Sequence, residues 1–159
     1  PALTAGTDIQ AFPEYAATVT EFINKKVNGP NATPIASGDV KATLSAVKPL
    51  ADQLHLTFGT PSQAADQNAF AVTKKLADTL KVTKLSQLAA ACSGSSLILG
   101  GPTECPTRPF CQPGLEKTYG LKFGSFQALD AGGPLTKAAI QQGKVSIGLV
   151  FSSDGSLAP

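Results

Sequence analysis

Apolar residues recur at helical spacing in two early segments of the chain. From Glu14 to Lys26 they stand at positions 15, 19, 22 and 23, and from Val40 to Leu54 they stand at positions 40, 44, 47, 50, 51 and 54. Side chains three and four residues apart share one face of a helix, so both segments are predicted to be amphipathic helices. Asp39 is expected to cap the second helix.

Other segments alternate between apolar and polar residues, or are continuously apolar, as strands are. Alternation predicts short half-buried strands, and continuous apolar runs predict strands covered on both faces. The segments predicted to be strands or extended are 8–12, 54–58, 69–72, 97–100, 123–129 and 145–151.

In the second half of the chain, helical segments separate these strands. The predicted helices are 74–81, 84–92, 113–119 and 135–142. Thr73 is expected to cap the first of them, and Gly120 and Gly143 are expected to end the last two. Strands that alternate with helices through short loops predict an α/β fold with a mainly parallel sheet.

Composition and charge exclude several classes of protein. The chain has 159 residues, of which 42% are hydrophobic, so it can form a core and is not largely disordered. A net charge of +2 gives no electrostatic footprint for nucleic acid. No apolar run is long enough to span a membrane. Since the chain opens at Pro1 and has no Met, we expect it to have been processed or excised.

Two of the three cysteines lie close together in a proline-rich segment. A Cys105–Cys111 disulfide would close a short loop worth roughly 2–3 kcal/mol, and it would indicate an oxidising compartment. The alternative is a metal site, but the only histidine, His55, is distant in sequence. Cys92 is expected to be a buried thiol.

The sequence contains no convincing catalytic or cofactor-binding constellation. Ser152 and Ser153 lack the Gly-x-Ser-x-Gly pattern of a serine hydrolase, and Gly100-Gly101 lacks the lysine of a phosphate-binding loop. We therefore predict no catalytic residue, no cofactor and no metal, and we expect the protein not to be an enzyme.

A ligand of an open α/β sheet binds beyond the carboxyl ends of its strands. The loops expected there are 13–15, 66–68, the cysteine segment 100–111, 130–134 and 151–155. Gly132 and Gly133 precede a helix whose N–H groups could receive an anion, although such a pair is also common turn chemistry. Arg108, between two prolines, could clamp a carboxylate or could simply pair with Glu104.

Six motifs follow one another in an order that resembles a known family. The segments are Pro13-Glu14-Tyr15, Ala65-Asp66-Gln67-Asn68-Ala69-Phe70, Gly100-Gly101-Pro102-Thr103-Glu104-Cys105, Pro113-Gly114-Leu115-Glu116-Lys117-Thr118-Tyr119-Gly120, Leu129-Asp130-Ala131-Gly132-Gly133 and Phe151-Ser152-Ser153-Asp154-Gly155. Together they resemble the substrate-binding proteins of ABC importers for glycine betaine, choline, carnitine and related osmolytes.

The resemblance implies a type II periplasmic-binding-protein-like fold, in which ligand binds between two α/β lobes joined by hinge strands. Members of the family are longer, so we expect this chain to be a fragment. It would hold a partial first-lobe segment at 1–60, a hinge crossing at 61–68 and a second α/β lobe at 69–159. Ligand binding is expected to close the two lobes.

The resemblance also implies roles for individual residues. Quaternary ammonium groups are held by aromatic faces, and Tyr15 and Phe151 match such positions. Asp66 matches an acidic residue facing the cation, and Thr18 and Arg108 match groups on the ligand's carboxylate.

Two features depart from the family pattern. Asn68 stands at a site position where betaine-specialised members have tyrosine, and the stretch 130–135 lacks their Arg-Tyr pair. Choline, carnitine or a less cationic solute therefore stays open beside glycine betaine.

The partners implied by the resemblance are a small quaternary ammonium solute and an ABC permease subunit in the membrane, with no nucleic acid. The implied location is extracytoplasmic, either periplasmic or as a cell-surface lipoprotein. Two alternatives stay open: a ligand-sensing receptor module of the same fold, and a binder of a different, non-quaternary solute.

Overall fold

The chain divides into a first unit, Pro1–Gln63, and a second unit, Ala64–Pro159. The structure, a computed structural model, describes residues 2–92 and 97–157. The assignment of 61–68 as a hinge crossing, with partial lobes on either side, stays a prediction.

The first unit is helical in its described part. Its helices are α1 (Ala2–Ala5), α2 (Ala16–Asn28) and α3 (Val40–Gln53). The helices α2 and α3 pack against each other around a small core of Ile23, Val47 and Ala51. As predicted, Asp39 caps α3: its Oδ1 accepts a hydrogen bond of 2.9 Å from the backbone N–H of Ala42.

Buried polar side chains attach the loop between these two helices to α2. The carboxylate of Glu21, which is only 3% exposed, accepts hydrogen bonds from the backbone N–H groups of Ile35 and Ala36. The side-chain amide of Asn24 donates to the backbone oxygen of Thr33 at 2.8 Å. These hydrogen bonds give the backbone N–H groups of residues 35 and 36 and the carbonyl of residue 33 a partner inside the unit. They offset the cost of removing those groups from water where the loop lies against the helix.

The predictions of two strands in the first unit, at 8–12 and 54–58, are wrong. Residues 8–12 have no regular structure, and 54–58 form a turn and an irregular segment after α3. Leu56 and Phe58 pack against the α2–α3 core, while His55 is exposed with a positive φ of 56°. Alternation at 54–58 reflects packing against helices, whereas residues 8–12 are exposed. Neither segment pairs with a strand in the described part of the chain.

The second unit is built around a four-stranded sheet. The strands are β1 (Asn68–Ala71), β2 (Ile98–Gly101), β3 (Ser125–Ala128) and β4 (Ile147–Phe151), in the spatial order β1-β4-β2-β3. The central pair β2 and β4 is parallel, β3 is parallel to β2, and β1 alone runs antiparallel, against β4. This confirms the predicted α/β fold with a mainly parallel sheet.

Four helices cover the sheet: α4 (Lys74–Leu80), α5 (Leu85–Ala91), α6 (Gln112–Tyr119) and α7 (Pro134–Gln141). Neighbouring residues of β4 belong to separate hydrophobic clusters, Leu149 to one and Val150 to the other. Because successive side chains of a strand point to opposite faces, the sheet is buried on both faces. This burial is the reason for the continuous apolar run that predicted the strand.

The helix boundaries agree closely with the local signals that predicted them. Thr73 Oγ1 accepts a hydrogen bond of 3.1 Å from Leu76 N at the start of α4. Gly120, with a φ of 73°, ends α6. No helix in residues 2–92 or 97–157 is long and apolar enough to cross a lipid bilayer.

Candidate functional site

One edge of the sheet gathers most of the residues that the sequence predicted to bind ligand. The parallel strands β2, β3 and β4 all end there, and the antiparallel β1 begins there, with Asn68 opposite Phe151. We call this the carboxyl edge. It is formed by residues 66–68, 102–111, 129–133 and 151–157.

Hydrogen bonds join the segment before β1 to the segment after β4. The backbone N–H of Gln67 donates to Ser152 Oγ, and the backbone N–H of Ser152 donates to the Gln67 oxygen, each at 2.9 Å. Ser153 Oγ donates to Asp66 Oδ1 at 2.6 Å. Asp66 and Phe151, separated by most of the second unit in sequence, are thereby brought together as predicted site residues.

An open depression of about 410 Å³ lies at the end of β4. Its lining combines apolar and hydroxyl groups and is formed by Ala69, Val150, Phe151, Ser152, Ser153, Asp154, Gly155 and Leu157. A depression of this size suits a small solute, since ligand sites in proteins commonly occupy a few hundred cubic ångströms.

The disulfide predicted between Cys105 and Cys111 is present. Both half-cystines are buried, at 0% and 2% exposure, and belong to the larger hydrophobic cluster of the second unit. Cys92 is a free, half-buried thiol packed against the same cluster. The two cysteines of the loop are thus joined to each other, and no group of three or more potential metal-ligating side chains occurs within 2–92 and 97–157.

The disulfide loop carries Arg108 and contacts β1. Arg108 Nη1 lies 3.3 Å from Glu104 Oε1, which is the ion pair that the sequence offered as the alternative to a carboxylate clamp. The Asn68 side-chain amide donates to the backbone oxygen of Phe110 at 2.9 Å. This contact attaches the disulfide loop to the start of β1. Asn68 therefore lies at the carboxyl edge, with its side chain bonded to that loop.

The loop after β3 is organised by Asp130. Its carboxylate accepts hydrogen bonds from the backbone N–H groups of Leu135 and Thr136 and from Thr136 Oγ1, and so caps α7. Burial raises the pKa of the Asp130 carboxyl, but the bonds from Thr136 and from the start of α7 outweigh burial and hold that pKa below its ordinary value. The anion at this helix terminus is therefore the protein's own carboxylate.

Gly132 and Gly133 lie on this loop, and Gly132 fits closely against Phe151. Gly132 has a φ of 70°, and a Cβ added there would lie 3.0 Å from the Phe151 ring. A larger residue would therefore displace that ring as well as strain the backbone. Proximity of Gly132 and Gly133 to a bound solute stays a prediction.

An ion pair connects α7 to the segment after β4. Lys137 Nζ donates to Asp154 Oδ2 at 2.7 Å and to Ser156 Oγ at 3.0 Å. The hydrogen bond from Lys137, followed by those from Ser156, lowers the pKa of the Asp154 carboxyl to about 2. Asp154, a lining residue of the depression, is thereby attached to α7.

The remaining predicted site residues, Tyr15 and Thr18, belong to the first unit. Tyr15 immediately precedes α2 and its side chain is 47% exposed; Thr18 is half-buried in the first turn of that helix. The structure thus brings together the second-unit residues at the carboxyl edge, and the two first-unit residues stay predictions.

Three features of this edge had no role in the interpretation of the sequence. They are the serines that bind residues 66 and 67, the carboxylate cap at Asp130 and the exposed ring of Phe110. A polar doublet directly after an apolar strand was the one available signal for the serines. The Asn68–Phe110 contact joins residues 42 apart, so no local pattern could show it.

Comparisons with known proteins place this arrangement in a family. A family model, OpuAC, described as the substrate binding domain of an ABC-type glycine betaine transport system, matches residues 1–159. A search of curated proteins found no match.

The solved structures similar to the chain include the following two. A glycine betaine/carnitine/choline ABC transporter structure is 26% identical, with a TM-score of 0.52, over 84% of this chain and 47% of that one. Apo YehZ from Escherichia coli is 27% identical, with a TM-score of 0.51, over 99% of this chain and 56% of that one. The chain spans about half the length of these solved relatives. With the family model matching it throughout, the chain belongs to the family of substrate-binding domains of ABC-type glycine betaine transport systems.

Proposed function

We propose that the chain forms part of the extracytoplasmic solute-binding component of an ABC importer, and that it binds a quaternary ammonium osmolyte for delivery to a membrane permease. The observation that carries this proposal is the family match over residues 1–159. The convergence of Asp66 and Asn68 with Phe151 at the carboxyl edge supports it, because the motif that contains the first two is far in sequence from the motif that contains Phe151.

The chemistry of the carboxyl edge suits a small cation that carries methyl groups. A quaternary ammonium ion cannot donate an N–H hydrogen bond, so it is bound by aromatic faces and by nearby negative charge. The aromatic ring of Phe151 is part of the lining of the depression. The carboxylate of Asp66 accepts a hydrogen bond from Ser153, which is another lining residue. We assign Phe151 and Asp66 to the cationic end of the solute, together with Tyr15 of the first unit.

The opposite end of a zwitterionic solute is a carboxylate. We assign Arg108 and Thr18 to it, because a guanidinium binds a carboxylate by charge-assisted hydrogen bonds. Arg108 is on a loop whose ends are fixed by the disulfide and whose sequence contains two flanking prolines. To bind the solute, the guanidinium would exchange its Glu104 partner for the ligand's carboxylate.

No residue of the carboxyl edge is assigned a catalytic role. The family is one of transporter substrate-binding domains, and we propose that this chain is a binding component without enzymatic activity.

Calorimetric titration tests the proposal. Glycine betaine, choline and carnitine are titrated into the chain and into the longest protein that its gene encodes. Saturable binding of at least one solute is expected, and Phe151→Leu should weaken it while Phe151→Tyr should retain it. Absence of binding in both proteins would contradict the quaternary ammonium assignment.

A second titration tests the assignment of Arg108. Arg108→Gln should weaken glycine betaine and carnitine far more than choline, which has no carboxylate. Equal losses for all three solutes would show that Arg108 only supports the loop.

A further inference from the structure

Phe110 is an exposed aromatic residue at the carboxyl edge that has no assigned role. Its side chain is 40% exposed, although the next residue, Cys111, is buried. Tyr119 is comparably exposed, at 42%, but it lies at the far end of α6, away from the residues that form this edge.

The backbone of Phe110 is held from two sides. The next residue, Cys111, is joined to Cys105, and both sulfurs are buried in the core. The carbonyl oxygen of Phe110 accepts the hydrogen bond from the Asn68 side-chain amide. A ring carried on such a backbone loses little conformational freedom when a ligand covers it, so less of its interaction energy is lost on binding.

Asn68 also connects Phe110 to the residues already assigned to the cation. It stands opposite Phe151 in the pairing of β1 with β4, and it follows Asp66 by two positions. One asparagine therefore adjoins two aromatic residues and the segment that carries the negative charge. Aromatic faces attract organic cations, so both rings are candidates to contact the same ammonium group.

Building on the proposed function, we propose that Phe110 is a further specificity-determining residue of the solute site, and that Asn68 is its positioning residue. The ring of Phe110 supplies an aromatic face to the ammonium group. The amide of Asn68 acts through the backbone of Phe110, by setting where that ring stands.

The test compares a cation with its uncharged equivalent. Choline and its neutral isostere, in which carbon replaces nitrogen, are titrated into the full chain that the gene encodes and into its Phe110→Leu variant. Leucine keeps apolar bulk but has no π face, so choline affinity should fall roughly 3-fold to 30-fold and affinity for the isostere should change much less. Phe110→Tyr should retain the preference for choline.

Tyr119→Leu is the matched control, since it also replaces an exposed aromatic residue of the same unit by leucine. It should leave both affinities unchanged. Unchanged melting temperatures show that the variants fold alike.

A double-mutant cycle separates the role of Asn68 from simple structural support. Asn68→Ala should lower choline affinity in the natural chain but have no further effect when Phe110 is already leucine. Additive losses would overturn the positioning role.

The outcomes distinguish the two proposals. If the natural chain binds choline and Phe110→Leu binds it equally well, the role of Phe110 is overturned and the proposed function stands. A loss that is equal for choline and the neutral isostere also overturns it, since the ring then contributes only apolar area. If the natural chain binds no quaternary ammonium solute, the proposed function fails and this inference fails with it.

Discussion

The first and second units of the chain are stabilised by different means. The first unit depends on two packed helices whose fully buried apolar residues are only Ile23, Val47 and Ala51, supplemented by buried polar contacts. The second unit has a sheet covered on both faces, two hydrophobic clusters and a disulfide. Apolar burial is the main favourable term in folding, so we expect the second unit to be the more stable of the two.

The difference also concerns function. In the second unit, long-range hydrogen bonds and strand pairing hold the candidate residues in place. In the first unit, Tyr15 and Thr18 occupy the start of a helix, where the backbone is the least constrained by intrahelical bonds. The second unit therefore offers a preformed surface.

The largest expected effect comes from the core of the second unit. Leu99 is fully buried in β2, and Leu99→Ala should lower the free energy of unfolding of that unit by about 2–5 kcal/mol, because it leaves a cavity. Thermal unfolding followed by calorimetry and circular dichroism measures the change.

Val47→Ala, in the first unit, is the control. It should cost about 2 kcal/mol and act on the first unit alone. If both substitutions shift one and the same transition, the two units do not differ in stability as we expect.

Removal of the disulfide should have the next largest effect. Replacing Cys105 and Cys111 by alanine releases a short loop, and chain entropy predicts a loss of roughly 2–3 kcal/mol from the second unit. Denaturant unfolding measures it. Cys92→Ala is the matched control, because that cysteine is free. An equal loss in the control would attribute the effect to lost packing and not to the bridge.

Helix caps test the comparison with matched changes in each unit. Asp39→Ala removes the cap of α3 and Thr73→Ala removes the cap of α4. Each should cost about 1 kcal/mol, and each should act on its own unit. Amide hydrogen exchange resolved along the chain checks this, since protection should fall in one helix and not in the other.

The smallest expected effect is the pH dependence of the Lys137–Asp154 pair. The folded-state pKa of Asp154 is lowered to about 2. The stability that its carboxylate contributes is therefore fully present above the ordinary carboxyl pKa, and it is lost as the pH falls below that pKa toward 2. Asp154→Asn should therefore be less stable than the natural chain near neutral pH, and the difference should disappear in acid.

Melting temperatures recorded at low salt along a descending pH series check this prediction. Asp78→Asn, which removes a more exposed ion pair with Lys74, is the control and should show a smaller difference. A difference for Asp154→Asn that persists unchanged into acid would contradict the assignment.

The helices could be predicted because their signals are local. Asp39, Thr73 and Gly120 stop or start helices through bonds and backbone angles within a few residues of themselves. A strand depends on a partner, and alternation at 8–12 and 54–58 did not reveal that no partner strand was present in the described chain. The antiparallel direction of β1 was likewise invisible to the sequence pattern.

The candidate site was predictable only as a set of loops. Parallel strands end at one edge, so loops after β2, β3 and β4 had to meet. Which atoms meet could not be predicted, since the bond from Asn68 to Phe110 and the fit of Gly132 against Phe151 depend on side chains placed by the whole sheet.

The reversed direction of β1 places the residues that precede it at the carboxyl edge. Had this strand run parallel to its neighbours, its first residue would have lain at the opposite edge of the sheet, about 13 Å away, which is the length of a four-residue strand. Because β1 runs the other way, the polar residues just ahead of it arrive directly beside Ser152 and Ser153. The first residues of the second unit therefore adjoin the surface that we propose meets the solute.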